Sequence, residues 1–286
     1  MSQVFLVTGS SRGLGREIVL AALHAGHQVV ATARRPEQLR DVVERFGQQV
    51  RAVELDVTDP ASADRAVQAA SEAFGRLDVV VNNAGYADLA SVEDVSIEAF
   101  RAQIDTNLLG VVNVTKAALP HLREQGSGHI IQISSVVGRM STPGLSAYQA
   151  AKWAVGGFSL VLAKEVGPLG IKVSVLEPGG MSTEWAGSSM TVPPISAPYA
   201  STVGAMAAMH NADSLSASDP AKVAQVVLQI AAMDAPPVRL LLGPEAYRYA
   251  TAEARRQLAE DERWQELSDS TAHDDATPEQ LNPLGT

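Results

Sequence analysis

Residues 4–15 read VFLVTGSSRGLG: four apolar residues run directly into a loop whose three glycines are spaced G-x-x-x-G-x-G. The apolar run predicts a buried strand, and an amphipathic pattern that begins at Leu14 predicts a helix. Gly9 and Gly13 let the backbone turn tightly and approach a pyrophosphate, beside the unpaired N–H groups of the helix N-terminus. An ordinary strand-to-helix turn would use similar residues, but this position between strand and helix favours a dinucleotide site.

The same alternation continues along the chain, because short β-branched runs are separated by longer amphipathic segments. Strands are predicted near residues 4–8, 28–32, 50–55, 79–82, 129–134, 172–176 and 239–242. Helices are predicted near 14–25, 36–46, 60–74, 97–123, 146–167, 219–233 and 245–267, with Gly26, Gly47, Gly75 and Gly126 as stops. Continuous Val and Ile in most strands indicate burial on both faces. The pattern therefore predicts a doubly wound α/β fold with a seven-stranded parallel sheet flanked by helices.

The 286 residues, 46% of them hydrophobic, are enough to bury one large core. No internal repeat and no linker rich in Gly or Ser divides the chain, so residues 1–267 are expected to form a single catalytic domain. Residues 184–218 follow the end of a strand and break the alternation, which predicts a substrate lid. Residues 268–286 are polar and predict a flexible C-terminal tail.

Composition excludes several classes of partner. A formal net charge of −10 disfavours nucleic acid, which is bound mainly by clustered Lys and Arg. With no cysteine and six scattered histidines, no disulfide and no metal site are expected. No apolar stretch approaches the roughly 18 residues of a membrane span, and the N-terminus is interpreted as a strand rather than a secretion signal. A cytoplasmic protein that binds a small molecule is expected.

The end of the second predicted strand bears on the choice of nicotinamide cofactor. An acidic residue there would bind a free ribose 2′-hydroxyl, but the sequence offers Arg34 and Arg35 instead. Arg12 in the glycine loop is a further cation, and a guanidinium suits phosphate oxygens. These residues predict NADP, with NADPH favoured over NADH, although a solvated pair of arginines at a helix start would look the same.

Three side chains further along the chain have the chemistry of carbonyl reduction. Tyr148 is a phenol, Lys152 is an ammonium four residues later on the same helix face, and Ser135 is a hydroxyl. The phenol can protonate a substrate oxygen while the serine stabilises the charge developing there. A cation within about 4–6 Å lowers the pKa of a neighbouring acid by roughly 1–3 units, so Lys152 is expected to lower that of Tyr148.

These residues resemble the short-chain dehydrogenase/reductase family in its standard-length branch, over roughly residues 4–243, which implies a Rossmann-type fold. The similarity rests on Thr8 to Gly15, Asn82-Asn83-Ala84-Gly85, Asn107, Ser135, Tyr148 with Lys152, and Pro178-Gly179 followed by Thr183, in the family's order. The resemblance implies that Asn107, Ser135, Tyr148 and Lys152 are catalytic, with Asn107 holding a water that relays protons to Lys152. A helix-interior asparagine bonded to the backbone is the alternative for Asn107.

The resemblance also implies a set of ligand-binding residues. Cofactor contacts are expected at Gly9, Ser11, Arg12, Gly13, Leu14, Gly15, Arg34, Asp56, Val57, Asn83, Ala84, Gly85, Tyr148, Lys152, Pro178, Gly179, Met181 and Thr183. Asp56 would serve equally well as a helix or turn cap. Substrate contacts are expected at Ser135, Val137, Leu145, Tyr148 and Trp185, with Met140 and Met190 as further apolar candidates, although packing alone would account for the apolar ones.

The sequence therefore predicts an NADP-dependent reductase of apolar or aromatic ketones and aldehydes that also runs in reverse. A 3-oxoacyl-acyl-carrier-protein reductase is an alternative, which the acidic charge disfavours because an acidic carrier would prefer a basic face. An epimerase or dehydratase of the family's extended branch would need a larger C-terminal domain. A non-catalytic dinucleotide sensor would usually lack the tyrosine or lysine. Members of the family commonly form oligomers, which implies a homo-oligomer, a dimer or a tetramer, formed through residues 97–123 and 146–167.

Overall fold

A seven-stranded parallel sheet forms the centre of the molecule in the computed structural model, which describes residues 2–181, 190–211 and 217–285. The sheet order is β3-β2-β1-β4-β5-β6-β7, and every strand pair is parallel. The strands are β1 Val4–Val7, β2 Gln28–Ala33, β3 Val50–Glu54, β4 Val79–Asn82, β5 Gly128–Ile133, β6 Ile171–Pro178 and β7 Arg239–Leu242. The predicted doubly wound fold is confirmed.

Helices cover both faces of this sheet. They are α1 Gly13–His24, α2 Arg40–Phe46, α3 Pro60–Phe74, α4 Ile97–Ile104, α5 Gly110–Gln125, α6 Ser146–Val166, α7 Ala205–Asn211, α8 Pro220–Ala232, α9 Pro244–Arg263, α10 Gln265–Asp269 and α11 Pro278–Leu281. Gly75 and Gly126 end α3 and α5 in the left-handed conformation, as predicted.

Two apolar layers hold the sheet between the helices. One layer packs α1 and α8 onto the sheet around Phe5 and Ile18, and the other packs α3, α5 and α6 around Leu6 and Leu122. Phe5 and Leu6 are neighbours on β1 and are both fully buried. Alternate residues of one strand therefore enter opposite layers, which is why the strand is apolar throughout.

The predicted single helix at 97–123 is wrong in one detail. The chain forms α4, then a π-turn at Asp105–Leu109, then α5. The cause is Asn107 inside the turn, whose side-chain Nδ2 donates to the carbonyl of Gln103 at 2.8 Å. This bond, together with those to a neighbouring loop, replaces regular helix packing and directs the turn towards the end of β4.

Beyond β7 the chain continues as α9, whose first half packs Ala246 and Ala250 against Val136. Residues 258–275 and 277–285 are exposed, and they contain the short helices α10 and α11. The flexibility of residues 268–286 stays a prediction. Among the helices of the described ranges, none combines the length and apolar character required to cross a bilayer.

Candidate active site

The carboxyl ends of the parallel strands form one edge of the sheet, and most of the predicted site residues lie there. The loop after β1 and the first turn of α1 carry the three glycines, the loop after β4 carries Asn83 to Gly85, and the loop after β5 carries Ser135. Helix α6 brings Tyr148 and Lys152 to this edge. Open parallel sheets bind ligands at this edge, where neighbouring loops diverge.

The glycine loop is fixed to the loop after β4 by hydrogen bonds. Thr8 Oγ1 accepts from the backbone N–H groups of Asn83 and Ala84, each at 2.9 Å. Asn83 Nδ2 in turn donates to the carbonyls of Thr8 at 2.9 Å and Gly9 at 3.3 Å. Asn83 therefore supports the shape of the loop through its side chain, and direct contact of Asn83 with a cofactor stays a prediction.

Glycine is required at two points of this loop because the backbone is crowded. A Cβ on Gly15 would lie 2.3 Å from the carbonyl oxygen of Gly9 and 2.4 Å from Asn83 Nδ2. Gly9 adopts φ +68°, and a Cβ there would lie 3.0 Å from Ala84 Cα. Arg12 precedes α1 with an extended backbone and gives no side-chain cap to the helix. A bare helix N-terminus in a tight glycine cradle fits a pyrophosphate.

Two buried residues of the loop hold it to the sheet. Leu14 is in the apolar layer with α1, and Ser10 donates through Oγ to Val7 O at 2.8 Å. The backbone of Ser10 also donates to Thr32 O on β2 at 2.8 Å. Ser11 and Gly13 lie between these anchors at the mouth of the loop. The cradle is therefore held largely by its own residues and by the strand beside it.

Arg34 lies where a ribose phosphate is expected, in an exposed position at the end of β2. Its charge helps to lower the pKa of Asp56 and acts against the raised pKa of Tyr86, so it stands close to both residues. Arg35 and Arg12 are exposed as well. The structure thus brings a cation next to the loops after β3 and β4.

Asp56 and Val57 follow β3, and both make structural contacts. Asp56 Oδ1 accepts from the N–H of Thr58 at 2.9 Å and its hydroxyl at 2.7 Å, and these two bonds are the main causes of the lowered pKa of Asp56. Val57 packs against Gly110, and its carbonyl accepts from Asn113 Nδ2 at 3.0 Å. The turn-capping alternative for Asp56 is thus observed, and its contact with adenine stays a prediction.

Ser135, Tyr148 and Lys152 come together beside this cradle. The side chain of Ser135 hydrogen-bonds to Tyr148, and Lys152 Nζ lies 5.6 Å from the centre of the Tyr148 ring. Lys152 Nζ donates to the carbonyl of Ile133 at 2.7 Å, at the end of β5. Tyr148 is 6% exposed and Lys152 is 3% exposed. The phenol, the ammonium and the hydroxyl therefore lie close together, and the first two are almost wholly shielded from solvent.

Burial sets the proton affinities of this cluster. It lowers the pKa of Lys152 to about 8, because a buried ammonium loses its hydration. It raises the pKa of Tyr148 above its ordinary value, and the hydrogen bond from Ser135 offsets only part of that rise. The expected lowering by Lys152 is not found in this structure, because burial is the largest cause of the shift and the opposing contribution comes from Ser135.

Asn107 is fully buried next to this cluster. Its side chain donates to the carbonyls of Tyr86 at 2.9 Å and Gln103 at 2.8 Å, and accepts from the N–H of Tyr86 at 3.1 Å. A Cβ on Gly85 would lie 2.6 Å from Asn107 Oδ1 and 3.7 Å from Lys152 Nζ. The backbone-bonded alternative is thus observed for the side chain, and the proton relay stays a prediction.

The segment after β6 lies on the other side of the cradle. Gly179 donates its N–H to Leu242 O at 2.9 Å, and Met181 forms an isolated bridge with Ser218. A Cβ on Gly179 would lie 2.2 Å from the carboxylate of Glu245, so a larger residue would force that side chain to move. Thr183 and Trp185, also expected at the site, lie outside the described residues.

An apolar cluster covers Tyr148. Its buried members come from the loop after β4, from the start of α6 and from residues 190–211, and they are Ala87, Leu89, Leu145, Tyr148, Val203 and Ala207. Val137 and Met190 pack against it, whereas Met140 packs instead with α9. Residues 190–211 are fixed by polar contacts too, since Tyr199 OH donates to Glu93 at 2.6 Å.

The sequence patterns did not identify some residues that contribute to this region. Gln149 donates through Nε2 to Thr142 O at 3.4 Å and accepts from its N–H at 3.2 Å, which fixes the loop before α6. Tyr86 provides both backbone partners of Asn107. Glu177, a charged residue inside an apolar strand, was a visible anomaly of the sequence. Among the described residues, no cluster suited to a metal ion is present.

Comparisons with known proteins agree with this geometry. The family model described as short chain dehydrogenase matches residues 3–191. Oxidoreductase BOA17 of Botryotinia fuckeliana is 54% identical over 274 residues, which cover 95% of this chain and 100% of that protein. A 3-ketodihydrosphingosine reductase of Bacteroides thetaiotaomicron is 34% identical over 245 residues, 85% of this chain and 88% of that one.

A solved structure shows the same architecture. A short-chain dehydrogenase from Streptomyces avermitilis superposes with a TM-score of 0.88 at 36% identity, over 95% of this chain and 98% of that chain. This structural similarity extends past residue 191, where the match to the family model ends. It therefore includes β7 and the later helices. The fold is shared along nearly the whole length.

Proposed function

The chain belongs to the short-chain dehydrogenase family and is an oxidoreductase, and we propose on that basis that it transfers hydride between NADPH and the carbonyl carbon of an apolar or aromatic ketone or aldehyde. The observation that carries the proposal is the cluster of Ser135 with the buried side chains of Tyr148 and Lys152 beside the glycine cradle. The reverse reaction oxidises the corresponding secondary or primary alcohol.

The family binds NAD or NADP, and the bound nicotinamide supplies the hydride. Tyr148 then donates its phenolic proton to the substrate oxygen, and its raised pKa keeps that proton in place until the oxygen becomes basic. Ser135 donates a hydrogen bond to the same oxygen and stabilises the negative charge developing there. Lys152 stabilises the phenolate that remains, since its ammonium lies beside the ring.

The proposed preference for NADPH rests on Arg34. Its guanidinium can bind the 2′-phosphate at the end of β2, where an NAD-specific site would carry a carboxylate. Asp56 is an acid close to Arg34, but its Oδ1 caps the turn at Thr58 and its charge faces Arg34. Arg12 provides a second cation at the mouth of the glycine loop.

The apolar cluster over Tyr148 supports an apolar substrate. Leu89, Leu145 and Val203 pack in the same cluster as Tyr148, so a hydrophobic group flanking the substrate carbonyl would gain apolar contacts there. The similarity to a 3-ketodihydrosphingosine reductase agrees with a ketone that carries a long apolar chain. Residues 190–211, the main described part of the lid predicted at 184–218, would act as the lid that admits it, and residues 184–189 and 212–216 lie outside the described residues.

We further expect a homo-oligomer, a dimer or a tetramer. Exposed apolar side chains lie on α6 and at the end of the π-turn before α5: Leu109, Trp153, Leu160 and Val161. Apolar surface of this kind is usual at subunit interfaces. Light scattering of the purified protein would give its mass directly, and a monomer at micromolar concentration would contradict this expectation.

The test is NADPH oxidation with a panel of steroid, quinone, aromatic-ketone and long-chain 3-keto substrates. Wild-type protein should turn over at least one apolar ketone. Tyr148→Phe should lower kcat by at least about a thousandfold while NADPH still binds, because only the transferable proton is removed. Full activity of that variant, or no turnover of any carbonyl by the wild type, would reject the proposal.

A further inference from the structure

Glu177 is a carboxylate placed inside the sheet, on β6 directly before Pro178. Its side chain is 0% exposed, and the two residues before it are apolar and buried. A carboxylate in such a place needs cationic partners, because removal from water costs several kcal/mol. Two arginines supply them, with Arg139 Nη2 2.5 Å from Oε2 and Arg239 Nε 3.1 Å from Oε1.

The two arginines come from different elements. Arg139 follows the short turn Val136–Gly138, which begins directly after Ser135. Arg239 is the first residue of β7 and lies next to β6 in the sheet. Glu177 therefore connects the turn that carries Ser135 with the strand that leads into Pro178 and Gly179.

One arginine would be enough to neutralise this carboxylate. Arg239 binds Oε1 through both Nε and Nη2. Arg139 adds a second positive charge as an ion pair with Oε2 that lacks hydrogen-bond geometry, and its own Nε is buried without a hydrogen-bond partner among the described residues. Neutralising the charge of Glu177 thus does not explain the presence of Arg139. Its contact with Glu177 explains it, because this contact connects the turn after Ser135 to β6.

The turn also packs on α6, where a Cβ on Gly138 would lie 3.0 Å from the carbonyl oxygen of Lys152, and Val137 contacts the apolar cluster over Tyr148. The N–H groups of Gly138 and Arg139 donate only back into the turn, to Ser135 O and Val136 O at 2.9 Å each. Val136 packs on the first half of α9 through apolar contacts. The ion pair with Glu177 is the charged contact that holds this turn to the sheet.

We infer that Arg139 and Glu177 are positioning residues, which hold the turn after Ser135 against β6 so that the Ser135 hydroxyl stays aligned with the Tyr148 phenol. This inference rests on the proposed function for its catalytic consequence. Neither residue touches the reacting atoms. Their effect passes through Ser135, whose alignment within a fraction of an ångström determines how well it stabilises the reacting oxygen.

Arg139→Met and Arg239→Met form a matched pair of variants. Arg139→Met cuts the link to the turn but leaves a balanced pair of Glu177 and Arg239. Arg239→Met removes the same charge but keeps the link. Amide hydrogen exchange across residues 135–140 should rise by about tenfold or more in Arg139→Met and stay within about twofold of wild type in Arg239→Met. Arg139→Lys, which keeps one charged contact, should fall between them.

Turnover should follow the same order. Arg139→Met should lower kcat by about tenfold with the Kd for NADPH unchanged, because only the serine is displaced, whereas Arg239→Met should keep kcat within about twofold. Equal exchange in wild type and Arg139→Met, or equal effects of both variants, would overturn the inference. If the wild type reduced no carbonyl, the proposed function would fail, but the exchange comparison would still decide whether the link exists. Arg239→Gln, which also removes the charge, replaces Arg239→Met if the latter does not fold.

Discussion

Burial decides the chemistry of individual residues at this site. Lys152 is almost wholly enclosed and donates to a backbone carbonyl, and its pKa is lowered to about 8. Tyr148 is enclosed beside it, and its pKa is raised for the same reason. The sequence placed these two groups four residues apart on one helix face. It did not reveal the low-dielectric surroundings that reverse the expected shift of the tyrosine.

The lowered pKa of Lys152 predicts a pH limit for ketone reduction. Below about pH 8 the ammonium is present and stabilises the phenolate, whereas above this pH it loses its proton. The reduction rate should therefore fall by about tenfold per pH unit above about pH 8. Steady-state rates at saturating NADPH from about pH 6 to about pH 10 would show this limb.

Lys152→Arg is the control for that limb, because a guanidinium stays charged throughout this range. The variant should be slower overall but should lack the decline near pH 8. A wild-type rate independent of pH between about 7 and about 10 would show that the charge of Lys152 does not limit the reaction.

Arg34 allows a second prediction for a single residue. Arg34→Asp should shift the preference from NADPH towards NADH by about tenfold or more, because hydrogen bonds to a charged group are worth roughly 1.5–3 kcal/mol. The ratio of Kd values for the two cofactors, measured by fluorescence titration, reports the shift. Arg35→Asp is the matched neighbour and should have the smaller effect. An unchanged ratio in Arg34→Asp would assign the phosphate to Arg12 or Arg35.

Single elements show where sequence patterns determine structure and where tertiary contacts take over. The loop between β1 and α1 follows the predicted strand-to-helix turn because its own glycines and Ser10 shape it, and Asn83 from the loop after β4 adds hydrogen bonds to it. The helix predicted at 97–123 contains a π-turn, where Asn107 bonds to Gln103 in the turn before it and to Tyr86 in another loop. The bond to Tyr86 spans 21 residues of sequence, so no local pattern could reveal it.

Two Gly→Ala variants, both in helices, should differ clearly in their affinity for NADPH. Gly15→Ala would place a Cβ 2.3 Å from Gly9 O and distort the cradle, so the Kd for NADPH should rise by at least about tenfold. Gly157 lies on the face of α6 proposed as a subunit interface, away from the glycine loop, and a Cβ added there would meet no atom of its own chain within 4 Å.

Gly157→Ala should therefore keep NADPH binding and raise the free energy of unfolding by about 0.5–1 kcal/mol, since alanine favours a helix. Isothermal titration and urea unfolding of both variants measure these effects. Unchanged binding in Gly15→Ala would show that the loop does not hold the cofactor.

Across the whole molecule, stability depends on polar groups buried far from the site. His129 on β5 is 3% exposed and bonds through Nε2 to Ser174 Oγ at 3.0 Å. Burial, with a smaller contribution from Lys172, lowers the pKa of His129 to about 4. His129 therefore stays unprotonated in the folded chain down to about pH 4, whereas in the unfolded chain it gains a proton at about pH 6.5.

Stability should consequently fall as the pH decreases from about 6.5 to about 4. Between about pH 7 and about pH 4.5 the loss attributable to His129 is about 2–3 kcal/mol, from a pKa difference of roughly 2.5 units at about 1.36 kcal/mol each. Urea unfolding of wild type and His129→Gln at both pH values isolates this part, since glutamine does not titrate. Equal pH dependence in the two proteins would contradict it.

The sequence by itself determined the alternation of strands and helices, the glycine cradle, and the spacing of Tyr148 and Lys152, because these features depend on residues close together in the chain. The tertiary structure decided what those residues meet: the enclosure that raises the pKa of Tyr148, the bonds of Asn107 to Tyr86, and the two arginines around Glu177. Contacts such as these join segments as far as 21 and 62 residues apart, and only the packed sheet brings them within reach.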